Sequence, residues 1–328
     1  MPGEFDLIKK HFTRPARRAR LGVGDDCALV DVPAGMELAV STDMLVEGVH
    51  FLAGTDAQRL GHKTLAVNLS DLAAMGAVPR YATLALALPR VDDAWLAAFA
   101  HGFFQLADAH DVELIGGDTT RGPLNLCVTV FGEVPAGAAI KRSGAQAGDD
   151  IWVSGSLADA ALGLAHLRGH QALTLAQAAY AVARLEAPTA RVALGIALRG
   201  VATAMLDVSD GLAGDLRHIA EASGVDAIVT ADALPLSADL ASVFAALPLD
   251  VRLRLVAGGG DDYELCFTAR PAQHEAVRAV AARCEVAVSK IGNMAPRRGA
   301  LGAVVVVDSA GNPCVPMLSG YDHFGNCA

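Results

Sequence analysis

Five times along this chain an aspartate stands at the edge of an apolar run. The first case is Gly22–Asp26 (G-V-G-D-D), where two adjacent carboxylates sit on a glycine-flanked turn and Cys27–Val30 follows at once. Ser41–Thr42–Asp43, Ser70–Asp71, Gly116–Gly117–Asp118 and Asp207–Val208–Ser209–Asp210–Gly211 repeat the plan. Like charges repel and lose hydration when they are gathered, so a fold does not collect carboxylates for stability. The pattern implies a shared cation. Oxygen-only donors suit a hard one, and we expect several Mg²⁺ ions carrying a nucleotide.

Composition narrows the partners. A net charge of −10 and an aromatic content of 5% argue against sequence-independent nucleic-acid binding and against an anionic membrane surface. A phosphorylated small molecule stays compatible, because metal ions mask an acidic site. With 53% apolar residues in 328, the chain can build one large or two medium cores. Met1–Phe12 has no apolar signal core, and no run reaches the roughly 18 apolar residues of a membrane span. The six cysteines are scattered without a C-x-x-C pair, which points to reduced thiols and a cytoplasmic protein.

Strands and helices alternate. Phe5–Phe12 is expected to form a short amphipathic helix, and the four arginines of Arg14–Arg20 either a solvated basic segment or a phosphate contact. Met36–Val40 is expected as a strand that ends at Ser41–Thr42–Asp43; those three side chains suit a hard cation, and equally a turn or helix cap. Arg59–Ala74 carries Leu65, Leu69 and Leu72 at helical spacing, with Thr64, Asn68 and Asp71 in a polar stripe. Asp71 then lies near the helix C-terminus, where an anion calls for a cation or for solvent. Tyr81–Leu88 reads as a strand and Asp93–Ala109 as a helix. Val112–Ile115 reads as a short strand that breaks at Gly116–Gly117, where backbone N–H groups can approach a phosphate. Leu124–Val134 is a further strand, and the domain boundary is placed at 140/141, giving units 1–140 and 141–328.

The second series runs as strand Ile151–Val153, helices to about Leu167, over Leu173–Leu185 and over Ala190–Leu198, and strand Ala202–Leu206. Asp207, Ser209 and Asp210 then stand at a strand-to-helix junction, a common ligand position in α/β folds. The spacing excludes an EF-hand loop. Ala257–Asp262 (A-G-G-G-D-D) precedes a strand over Tyr263–Thr268, a helix covers Pro271–Cys284 and a strand Val304–Val307. In the terminal S-G-Y-D-H-F, Tyr321 either packs on a ligand ring or docks the tail.

Taken together the motifs resemble the thiamine-monophosphate kinase family. They are G-E-F-D-L-I at 3–8, G-V-G-D-D-C-A-L at 22–29, S-T-D-M-L-V-E-G-V-H-F at 41–51 and N-L-S-D-L-A-A-M-G-A at 68–77. I-G-G-D-T-T-R-G-P at 115–123, K-R-S-G at 141–144, D-V-S-D-G-L at 207–212, D-Y-E-L-C-F at 262–267 and G-Y-D-H-F at 320–324 continue the series in the family's order. The resemblance implies transfer of the ATP γ-phosphoryl group to thiamine monophosphate. It implies an α/β, two-domain fold with mixed sheets, typified by aminoimidazole ribonucleotide synthetase. The N-terminal domain would pair in a homodimer sheet or barrel, and the C-terminal α/β domain would cover nucleotide and substrate.

By the same resemblance, Asp26, Ser41, Thr42, Asp43, Asp71, Asp118, Asp207 and Asp210 are Mg²⁺ ligands, with Asp43, Asp71, Asp118 and Asp210 central to catalysis. Gly117, Asp118, Arg142 and Ser209 are ATP contacts; His50, Asp261 and Tyr321 are substrate contacts. Asp261 stands where the family pattern is expected to carry Glu, one methylene longer. A K⁺ requirement is left open. Within the superfamily, selenophosphate synthetase calls for a Cys before residue 24, and there is none; a hydrogenase-maturation relative calls for a different Cys tail from G-N-C-A. A nucleotide sensor without turnover is the rival from another class.

Overall fold

The computed structural model describes residues 3–299 and 302–314. The chain forms two compact units, the first from residues up to 72 together with 77–138, the second from 73–76 together with 139 onward.

The first unit opens with α1 (Glu4–Leu7), continued by a π-helical turn over Ile8–Phe12. Its frame is β1 (Met36–Val46), α2 (Ala57–Ala74), β2 (Val78–Leu88), α3 (Asp93–Ala109), β3 (Glu113–Arg121) and β4 (Asn125–Pro135). The four strands order as β1-β4-β2-β3. β4 runs antiparallel to β1 and β2, and β3 runs parallel to β2. Asp92 caps α3 by accepting the Trp95 N–H at 3.1 Å, as its position before an apolar helix leads one to expect. Two glycines let α2 and α3 cross closely. A Cβ on Gly61 would lie 2.0 Å from the Phe99 carbonyl oxygen, and one on Gly102 would lie 1.8 Å from that of Gln58.

The sheet is two-sided in character. Leu126, Val128 and Val130 of β4 are fully buried, and a Cβ at Gly132 on that face would touch Leu72 of α2. On the other face Val40 and Met44 of β1 are half exposed, although they are apolar. The arginine run lies against acids: Arg14 pairs with Asp108, Arg18 with Asp111, and Arg20 with Asp31. The backbone N–H groups of Arg17, Arg18 and Ala19 all donate to Glu113. The segment therefore straps the start of the chain to the sheet.

The second unit contains β5 (Asp150–Ser154), α4 (Asp159–Leu167), α5 (Leu175–Glu186), α6 (Val192–Ala197), β6 (Ala204–Val208), α7 (Leu212–Ser223) and β7 (Val225–Thr230). α8 (Ala241–Ala246), α9 (Leu249–Gly258), β8 (Glu264–Ala269), α10 (His274–Arg283), β9 (Val288–Pro296) and β10 (Val304–Val307) complete it. Its six strands order as β10-β7-β9-β5-β8-β6, antiparallel except for β10 with β7. Ile151, Val153, Leu206, Val208 and Ile291 meet Leu212, Leu216 and Ile219 of α7 in one apolar core. Among the described residues no helix is long and apolar enough to cross a membrane.

Two sequence expectations are corrected here. Ser41–Thr42–Asp43 does not end a strand but lies in the middle of β1, where every residue has a Cα partner on β4. The Gly116–Gly117 pair does not break a strand either: β3 continues through it to Arg121. The reason is close approach. Gly117 has φ +148°, and a Cβ there would lie 1.8 Å from the Leu84 carbonyl oxygen of β2. The glycines let β3 pass a register shift in its pairing with β2.

Candidate active site

In the first unit the sheet presents two acidic groups. On β1 the period of two places Ser41, Asp43 and Leu45 on the face toward α2. Ser41 Oγ donates to Asp71 Oδ2 at 2.6 Å, and the Asp43 N–H donates to Asn68 Oδ1 at 2.9 Å. The polar stripe of α2 is thus docked on the β1 edge, and Asp71 meets that strand. Thr42 points to the opposite face and pairs with the Thr129 hydroxyl at 2.8 Å. Thr64 bonds back to the Leu60 carbonyl within its own helix, so it adds nothing to this group.

The second group lines a cleft of about 720 Å³. Asp25 and Asp26 face it from the glycine turn, Gly116, Gly117 and Asp118 from β3, and Lys9 from the N-terminal turn. Both Asp26 and Asp118 are exposed to solvent. Two strands, β4 and β2, stand between β1 and β3. At ordinary inter-strand spacing this sets Asp118 on the order of 14 Å from Asp43. The two groups of one chain therefore form separate clusters. Among the described residues no three His, Cys, Asp or Glu side chains converge as a preformed metal cage.

His50 follows β1. Its Nδ1 accepts the Val46 N–H at 3.0 Å, so the neutral ring carries its proton on Nε2 and presents a donor there. The buried Lys63 donates to the His50 carbonyl at 3.2 Å and steadies the same turn.

In the second unit Asp207 is buried as the second-last residue of β6, and Ser209 and Asp210 follow before α7. The loop is laced to the glycine-rich loop ahead of β8. The Asp261 N–H donates to the Ser209 carbonyl and the Tyr263 N–H to that of Val208, both at 2.8 Å. Gly211 has φ +111°, and a Cβ there would meet the Gly258 backbone at 2.7 Å. Asp261 and Tyr263 themselves hold left-handed φ of 68° and 50°. Non-glycine residues hold such angles only where their surroundings impose them, and such sites are often functional. Arg142 is exposed, and its charge acts on Asp215.

Asp215 was not legible in the sequence as a site residue. It is buried in α7, and its Oδ2 accepts the N–H groups of Ser209 at 3.0 Å and Asp210 at 3.1 Å. Burial, then the charge of Asp210, push its pKa up to about 7. The only signal was its distance, five residues after Asp210 on the same turn-to-helix junction. Tyr321 lies outside the described residues.

A polar knot centred on buried carboxylates forms at the start of β8. Glu264 accepts from Ser154 Oγ, from Arg184 Nη2 and from Arg191 Nε and Nη2. Asp159 accepts from Ser156, Tyr180 and Ser237. Asp262 accepts the Ala158 N–H, and burial pushes its carboxyl far above the usual carboxylate range.

Set beside known proteins, the chain matches AIR synthase related proteins, with the N-terminal domain over residues 24–134 and the C-terminal domain over 146–303. It is 46% identical over 327 residues to the thiamine-monophosphate kinase of Salmonella typhimurium, covering 98% of each chain. It superimposes on the crystal structure of the Stenotrophomonas maltophilia thiamine-monophosphate kinase with TM-score 0.82 and 48% identity, over 90% of this chain and 92% of that one. It also superimposes on AaThiL complexed with AMPPCP and TMP, with TM-score 0.76 and 29% identity over 98% and 96% of the two chains. Full-length identity at this level, joined to the same two-domain fold, means that the chain belongs to the thiamine-monophosphate kinase family of AIR synthase related proteins.

Proposed function

We propose that this chain transfers the γ-phosphoryl group of ATP to thiamine monophosphate, giving thiamine diphosphate and ADP. The observation that carries the reading is full-length similarity to a structure that holds AMPPCP and TMP together. Phosphoryl transfer needs positioning and charge neutralisation more than covalent help. Both reactants are polyanions, and the candidate residues are mostly carboxylates with hydroxyls, an oxygen-only set that fits Mg²⁺. Bound Mg²⁺ would offset the charge of the two phosphate chains and of the transition state.

The residues that would hold it are Ser41, Asp43 and Asp71 on one edge of the first sheet, Asp26 and Asp118 in the cleft, and Asp207 and Asp210 in the second unit. Thr42, whose side chain lies on the other face of β1, belongs to this set by family resemblance alone. Gly117, Arg142 and Ser209 would contact ATP. The Nε2–H of His50 is a donor suited to an anionic acceptor, and Asp261 and Tyr321 would complete the acceptor side. No general base is called for, because a phosphate monoester oxygen is already ionised near neutral pH.

A homodimer is part of the same proposal. β1 is an edge strand, and Leu38, Val40 and Met44 line its open face. An exposed apolar edge of this kind is a pairing surface unless it is covered. Sedimentation of the protein tests it, with a monomer across the working concentrations refuting it.

The deciding assay follows thiamine diphosphate directly from ATP, Mg²⁺ and thiamine monophosphate, with and without K⁺, and with free thiamine as a parallel acceptor. Product from the monophosphate alone supports the proposal. No product from a folded protein that still binds Mg–ATP overturns it.

A further inference from the structure

The Ser209–Asp210 peptide carries a constraint that comes from outside its own motif. One oxygen of Asp215 accepts two successive backbone N–H groups, at 3.0 and 3.1 Å, and the carboxylate is buried at the start of α7. A single acceptor shared by two adjacent amides fixes the orientation of the peptide between them. The carbonyl side of the loop is fixed separately, by the Asp261 and Tyr263 N–H groups on Ser209 and Val208. Gly260 lies against this loop, and a Cβ there would sit 2.5 Å from the Ser209 oxygen. Both faces of the loop backbone are therefore held. A carboxylate beside Asp210 carries a like-charge cost, which the two N–H contacts and its place in the first turn of α7 offset.

We propose that Asp215 is a positioning residue for phosphoryl transfer. It sets the Ser209–Asp210 peptide so that the hydroxyl and the carboxylate meet the nucleotide phosphates and their metal. This rests on reading Ser209 and Asp210 as nucleotide- and metal-binding residues. What matters is the acceptor oxygen rather than the charge, because both contacts are to one oxygen.

The test compares Asp215→Asn, which keeps an acceptor oxygen of the same reach, with Asp215→Leu, which has none. Each is assayed for kcat, for KM of Mg–ATP and for the Mg²⁺ concentration at half-maximal rate. The leucine variant is expected to lose about 10²-fold in kcat/KM, as for a small misplacement of reacting groups, and to require more Mg²⁺. The asparagine variant is expected to stay near wild type. A purely structural role would lower the unfolding temperature and leave the Mg²⁺ dependence unmoved. A folded leucine variant with wild-type Mg²⁺ dependence overturns the proposal, and so does an asparagine variant as impaired as the leucine one.

If the leucine variant does not fold, Asp215→Ala takes its place. Amide exchange at Ser209 and Asp210 in the wild-type protein then still decides, since unprotected amides there refute the contact. Asp210→Asn is assayed alongside. Normal turnover in that variant refutes the site reading itself, whereas its inactivity beside an unaffected Asp215→Leu refutes only the positioning role.

Discussion

Glu264→Gln is the sharpest test of how the second unit is held together. Glu264 is fully buried, and each of its carboxylate oxygens accepts two hydrogen bonds. Oε1 takes Arg184 Nη2 at 2.8 Å and Arg191 Nη2 at 2.5 Å; Oε2 takes Ser154 Oγ at 2.5 Å and Arg191 Nε at 2.7 Å. A glutamine amide can point either way: at the Oε1 position its NH₂ faces both arginines, and at the Oε2 position it faces Arg191 Nε, although the Ser154 hydroxyl there can turn to accept from it. Gly155 closes the space around it: at φ +59°, a Cβ there would lie 2.1 Å from Oε1. The group cannot swing aside.

Removing one partner of a buried ion pair costs about 3–5 kcal/mol. The arginine side chains keep 15% and 17% of their surface in solvent, so the lower end, about 3 kcal/mol, is expected. For a unit of this size that is a fall of roughly 6–12 °C in unfolding temperature. Calorimetry follows the unfolding temperature, and urea unfolding gives the free energy independently. The companion variant Glu264→Gln/Arg184→Met/Arg191→Met replaces the stranded charges by apolar side chains and should recover most of the loss. A change below about 1 kcal/mol for Glu264→Gln alone would show that water or repacking satisfies the two arginines and would refute the reasoning.

Three further outcomes are expected. Asp71→Asn keeps the hydrogen bond from Ser41 but loses the charge, so turnover should fall by about 10²–10³-fold, the scale of losing one transition-state electrostatic group, with an unchanged circular dichroism spectrum; near-normal turnover would remove Asp71 from the site. Gly117→Ala drives a Cβ onto the Leu84 carbonyl in a left-handed backbone, and should cost about 2–4 kcal/mol in urea unfolding together with activity; an unchanged midpoint would contradict the close approach of β2 and β3. Asp262 keeps its proton in the folded state above the ordinary carboxylate pKa, while the unfolded chain has released it. Stability therefore falls as pH rises through that window, at up to about 1.4 kcal/mol per pH unit. Asp262→Asn removes the slope, so its unfolding temperature relative to wild type should climb between pH 5 and pH 8; parallel curves would mean that Asp262 is ionised in the fold.

Much of the frame was legible in the chain because it rests on local patterns. The α2 helix showed in Leu65, Leu69 and Leu72, whose spacing is that of a helix face laid on a sheet. α3 was expected over Asp93–Ala109 and is found there. β10 was likewise expected over Val304–Val307, a run of four valines. The strands β7 and β9 and the helix α9 were not anticipated. Val225–Thr230 and Val288–Pro296 carry charged, polar or glycine residues that blur the alternation, and only pairing with their neighbours makes them strands. One glycine motif misled in the same way. Gly116–Gly117 looks like a break from within the chain, because what it accommodates, the Leu84 carbonyl, belongs to another strand.

The sequence by itself determined the chemistry on offer: oxygen ligands, many carboxylates, and a series of motifs that resembles one family from end to end. The tertiary structure decided which of those groups meet. Strand period put Thr42 opposite Ser41 and Asp43; strand order separated Asp118 from Asp43; and the fold brought Asp215, which no motif marked, under the Ser209–Asp210 peptide. Residue type and spacing carry ligand chemistry directly, because it is a property of each side chain. Convergence depends on pairings between segments distant in sequence, and those exist only once the core has closed.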